Sequence, residues 1–174
     1  AVDAGDGTKG LRKPGEVYLA TERLKELFAG VRGVLIVDDA HVCLRGETVR
    51  ELLEACGAIR CLRPVADKSL SWQQQQELRR KAGHEATSGQ NDRITDWSLV
   101  GLRNLLDALP SLTSIARTTK AQILWEELAN LEERRGKGIF SGEYTWTHYG
   151  SYSATFDAAF VRQMNETAWI PDGD

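Results

Sequence analysis

The chain has 174 residues, 41% of them apolar, with a formal net charge of −3 and a sequence pI near 5.7. That is enough apolar material for one domain or two small cores, and the acidic balance argues against wholesale binding to nucleic acid or to a membrane. No stretch approaches the roughly 18 uninterrupted apolar residues of a membrane helix. The cysteines Cys43, Cys56 and Cys61 are irregularly spaced with no secretion signal ahead of them, which suits reduced thiols in a cytoplasm.

The first 66 residues alternate between strand and helix patterns. The opening "AVDAGDGTKGLRKPGEVYLA" gives an aliphatic residue, a short acidic and glycine turn, and a returning segment whose "EVYLA" reads as a strand. Thr21 is placed to cap a helix with Leu24, Leu27 and Phe28 on one face, and Gly30 stops it. "GVLIVDDA" is an apolar run of strand length that ends in two carboxylates. "GETVRELLEACG" puts Val49, Leu52, Leu53 and Cys56 at i, i+3, i+4 and i+7, and "AIRCLRPV" is a third strand candidate ended by Pro64. Strand, helix, strand, helix, strand implies a small α/β unit over residues 1–66 with a largely parallel sheet.

Residues 67–174 read as mainly helical with one hairpin, so the fold class expected for the whole chain is α+β. Ser71 with Gln74 is a capping box opening "WQQQQELRRKAG", where only Trp72, Leu78 and Ala82 offer apolar contact, the pattern of a surface helix. "HEATSGQNDRI" is a polar loop. "DWSLVGLRNLLDAL" then carries Leu99, Leu102, Leu105, Leu106 and Leu109 on one stripe until Pro110, and the helix after it buries Ile123, Leu124, Leu128 and Leu131. From about 138 to 156 the period becomes two: Phe140, Tyr144, Trp146 and His148 alternate with Ser141, Glu143, Thr145 and Thr147, and Gly150 marks the turn. Asp157 is placed to cap a last helix with Phe160, Val161, Met164 and Ala168 inward. Trp169, Ile170 and Pro171 read as a strand leading into the turn Asp172-Gly173-Asp174, which lacks its partner strand. Val2, Gly5 and Asp6 repeat that order about 168 residues earlier, so a piece of a longer chain is expected.

No constellation of residues makes a catalytic, cofactor or metal site. Asp38 and Asp39 end a strand as metal-binding carboxylates do in receiver domains and P-loop ATPases, but neither a second strand-end aspartate nor a Gly-Lys-Ser/Thr loop accompanies them. His41 with Cys43, Cys56 and Cys61 lacks the paired knuckles of structural zinc. No nucleophile elbow frames a serine or cysteine, and Glu126, Glu127, Glu132 and Glu133 read as a solvated helix face. The candidate interaction surface is the aromatic hairpin, Tyr144, Trp146 and His148, with Arg134, Arg135 and Lys137 at its base. Helix, helix, hairpin is also the outline of a winged-helix module, so nucleic acid is the alternative partner, against the more ordinary outcome that the aromatic face is buried.

The phrases "DGTKGLRKPGEVYLA" and "NETAWIPDGD", with "GEYTWTHYG" before the second, resemble recurring joins in large bacterial sacsin-like proteins. In that family a GHKL-type ATPase of the heat-shock chaperone class stands elsewhere in the chain. The resemblance implies position more than activity: a non-catalytic interdomain module, cytoplasmic, whose partners are other domains of its parent and a protein client. No Asp-x-Gly-x-Gly motif with its Asn-bearing helix is present, so no cofactor and no catalytic residue carries over.

Overall fold

The computed structural model describes residues 2–3, 9–10, 13–37, 47–68, 70–84 and 90–171. Asp38, Asp39, His41, Cys43 and the turn at residues 172–174 lie outside them. The fold class is α+β, and the chain divides into two compact units. The first comprises Ala1–Arg63, Val100–Leu131 and Thr167–Asp174; the second comprises Pro64–Leu99 and Glu132–Glu166. This differs from a sequential division at residue 66, because the leucine-rich helices after residue 100 belong with the first unit.

In the first unit, β1 (Val2–Asp3), β2 (Lys9–Gly10), β3 (Tyr18–Leu19) and β4 (Ile36–Val37) form a sheet in the order β2-β1-β4-β3. β3 and β4 are parallel, and Tyr18 also makes a parallel bridge to Ile59 on its other side, but β1 pairs antiparallel with both β2 and β4, so the sheet is mixed and not largely parallel as expected. Four consecutive residues, Val17 to Ala20, are buried, as expected of a parallel strand covered on both faces. The Thr21 hydroxyl accepts from Leu24 N at 3.1 Å and opens α1 (Glu22–Phe28), whose Leu24, Leu27 and Phe28 are buried. α2 (Glu47–Ala55) forms as its spacing predicts, yet Leu52 is 61% exposed and Cys56 is exposed. Its Leu53 packs on the Val17, Leu19 and Ala58 cluster.

The same unit contains α4 (Leu102–Ala108) and most of α5 (Ser114–Arg135). Their leucines at 102, 105, 106, 124, 128 and 131, and Leu109 in the 3-10 turn after α4, are all buried, as the stripe requires. Gly101 starts α4 at φ 77°, where a Cβ would stand 2.7 Å from Val34 Cγ2 and 3.2 Å from the Phe28 ring; only glycine meets both conditions.

The second unit is an antiparallel sheet of β5 (Pro64–Asp67), β6 (Gln90–Leu99), β7 (Ser141–Thr147) and β8 (Ser151–Asp157), in that order, with α3 (Trp72–Lys81) and α6 (Ala159–Asn165). The capping box at α3 forms in full, and a Schellman-type bond from His84 N to Arg79 O closes it. The hairpin β7–β8 pairs from Ser141 with Asp157 to Thr147 with Ser151, turning at Tyr149 and Gly150.

Several sequence expectations are corrected here. Pro64 begins a strand instead of ending one, which is permitted because β5 is the sheet edge and needs no ladder N–H there. Residues 90–94, read as loop, and 96–99, read as helix, are one ten-residue strand. Asp157 ends β8 and does not cap α6, and Trp169, Ile170 and Pro171 are not a strand.

Candidate functional site

Four charged side chains are buried among the described residues: Arg79, Asp96, Lys120 and Glu127. Burial of a charge is costly unless it is paired and hydrogen-bonded, so the partners reveal what each does. In the second unit, Asp96 Oδ1 accepts from Trp97 N and from Ala159 N, both at 2.7 Å, and Oδ2 accepts from Arg162 Nη2 at 2.9 Å. Ala158 offers no side-chain cap, so α6 receives its N-terminal acceptor from β6. Arg79 enters the same sheet from α3. Its Nε donates to Tyr144 Oη at 2.7 Å and its Nη2 to Asp92 Oδ2 at 2.6 Å, while the Tyr144 hydroxyl donates to that same carboxylate at 3.0 Å. Burial raises the Tyr144 pKa, opposed by the bond from Arg79.

In the first unit Lys120 Nζ donates to the carbonyls of Glu26, Leu27 and Ala29 at 2.6, 2.8 and 3.0 Å. Three donors meet three carbonyls at the end of α1, where the helix dipole is negative. Desolvation lowers the ammonium pKa. Glu127 Oε2 accepts from Leu62 N. Tyr18 Oη donates to Val100 O at 2.9 Å and accepts from Arg63 N at 3.2 Å, and burial raises its pKa. The Arg63 guanidinium donates to the carbonyls of Gly15 and Gly57. These side chains join segments far apart in sequence to main-chain groups.

The candidate interaction residues separate. Tyr144 and Trp146 are 0% and 2% exposed, packed with Leu70 against Leu78, Ile94, Tyr152, Ala154 and Phe156. The expectation that they form a surface is therefore corrected: they are the core of their unit, stacked on one another with ring centroids 5.0 Å apart. The hairpin is not a free wing, since β7 lies between β6 and β8. His148, half-buried, stands at the turn with its ring against Tyr149. Arg134, Arg135 and Lys137 are exposed at the end of α5, and Lys137 lies 4.0 Å from Glu132.

The other side of the sheet is open. Register places Arg93, Thr145 and Ser153 side by side on three adjacent strands, with Thr147 and Ser151 paired in the next row toward the turn. With Asn91 they line a groove of about 570 Å³. Trp146 and Tyr152 also border it. The Arg93 side chain has no hydrogen-bond or ion-pair partner among the described residues. None of this was read from the sequence, although the Thr-x-Thr and Ser-x-Ser spacing on the two hairpin strands was a usable signal of one hydroxyl-bearing face.

Among the described residues no group of three or more His, Cys, Asp and Glu side chains is placed to hold a metal ion, and no helix is long and apolar enough to cross a membrane. Compared with known families, curated proteins and solved structures, the chain finds no match.

Proposed function

We propose that this chain is a non-catalytic, cytoplasmic interdomain module of a large sacsin-like, GHKL-ATPase-containing protein, where it scaffolds or relays between domains and holds a protein client. The observation that carries the reading is the use of the buried charges. Arg79, Asp96, Lys120 and Glu127 all engage main-chain groups or fixed side-chain partners. Such groups lock a shape. Exposed apolar side chains supply contact area for a partner: Trp125, 64% exposed, stacks on Trp169 at 6.1 Å, beside the exposed Ile170.

The test is the parent open reading frame, followed by calorimetric titration of the purified chain with its upstream neighbour. An upstream domain with Asp-x-Gly-x-Gly, a downstream Leu-x-x-Pro strand and saturable binding between the two purified pieces support the proposal. A Met directly before Ala1 with a stop directly after Asp174, or ATP hydrolysis by the 174-residue chain itself, contradicts it.

A further inference from the structure

The groove on the open sheet face has a chemistry that the module reading does not use. Side-chain alternation puts Thr145 and Thr147 on the side of β7 opposite Tyr144 and Trp146, and cross-strand pairing brings Ser153 and Ser151 beside them. Neighbouring strands lie about 4.8 Å apart and alternate residues about 6.7 Å along a strand, so four hydroxyls form a two-by-two array. Each hydroxyl donates and accepts. Arg93 extends the first row onto β6 and is the one cation among the described residues that line the groove. Next to it, Asn91 has φ 57°, and the pairing of β6 with β7 shifts between Gln90 and Arg93. A bulge of this kind bends the strand locally and opens space at a sheet face.

We propose that this groove binds a small acidic sugar, whose ring hydroxyls exchange hydrogen bonds with Thr145, Thr147, Ser151 and Ser153 and whose phosphate or carboxylate is held by Arg93. The volume of about 570 Å³ falls in the range of small-molecule sites and exceeds what an isolated phosphate fills. One guanidinium matches one anionic group. Glu143, paired with Thr95 in the row beyond Arg93, places a negative charge at that end and opposes a polyanionic strand. The aromatic rings that would stack on bases, Tyr144, Trp146 and Tyr152, are already stacked on one another.

The experiment is an amide-resolved NMR titration of the full chain, with affinities by calorimetry, using glucose 6-phosphate, glucuronate, glucose and inorganic phosphate as separate probes. The proposal expects at least one acidic sugar to shift the amides of Arg93, Thr145 and Ser153 and to bind about tenfold more tightly than glucose or phosphate, the scale of one charge-assisted contact. Glucose 6-phosphate against glucuronate identifies which acid group Arg93 takes. Arg93→Gln should reduce the affinity to that of glucose, and Thr145→Val with Ser153→Ala should weaken the sugar while sparing any residual phosphate binding. Arg93→Lys, which keeps charge and loses the fork, should fall between and serves if the Gln variant does not fold. Phosphate binding as tightly as glucose 6-phosphate, binding unaffected by Arg93→Gln, or no shift at those amides with any probe overturns the proposal.

Discussion

The two units bury comparable elements by different chemistry. The first is a leucine core: Leu24, Leu27, Leu102, Leu105, Leu106 and Leu124 are at most 1% exposed, and Lys120 closes one helix end. The second has few aliphatic side chains inside its sheet and relies on stacked aromatics with two charged clusters, one at Asp96 and one at Arg79. A unit held by non-directional contacts loses stability by degrees when it is altered, whereas one held by buried charges fails when a single partner is removed.

The largest expected effect follows from Asp96→Ala. It leaves Arg162 without its buried counter-charge and α6 without its cap, so a loss of about 3–5 kcal/mol is expected in chemical denaturation, the usual result of breaking a buried pair. Lys120→Met in the first unit leaves three helix-end carbonyls without a donor while keeping the apolar stem, and should cost about 2 kcal/mol. A cost for Lys120→Met equal to that of Asp96→Ala would erase the contrast.

Alkaline titration sharpens it further. The folded-state pKa of Tyr18 is raised, so its contribution to stability is present below the unfolded value of about 10 and is lost as pH rises beyond it. Lys120 has a folded pKa below its unfolded value of about 10.4, so between the two its contribution rises with pH. Stability measured against pH should therefore fall less steeply above pH 10 in Tyr18→Phe. In Lys120→Met the rise just below that pH should vanish. The smallest effect is at α3, where Ser71→Ala removes a capping box on an exposed helix and should cost about 1 kcal/mol.

Legibility in the sequence follows the same contrast. Periodic apolar residues announce their own surroundings, and α1, α5 and the body of α4 were readable from leucine spacing, although the same spacing drew Leu99 of β6 into the α4 stripe. The α3 capping box was readable because both partners lie within four residues. The strand β6 was not: its inward positions include Asp96, which breaks the apolar alternation, and its justification lies 63 and 66 residues away at Ala159 and Arg162. Lys120 likewise answers carbonyls more than 90 residues distant. Tyr144 and Trp146 were visible as one face of a hairpin, but whether that face met solvent or core depended on Leu70, Leu78 and Ile94. The Arg93 groove was hidden for the opposite reason, since polar residues on an open face carry no period of burial to reveal them.

The central claim is that the ion pairs of Asp96 with Arg162 and Arg79 with Asp92 stitch the second unit, while in the first a leucine core carries the stability and Lys120 and Glu127 meet main-chain groups. Native-state hydrogen exchange on the wild-type chain and Asp96→Ala tests it most directly. The account predicts that the amides of β7, β8 and α6 lose most of their protection while those of α1 and α4 keep theirs. Equal loss in all five elements, or no loss in α6, would contradict it.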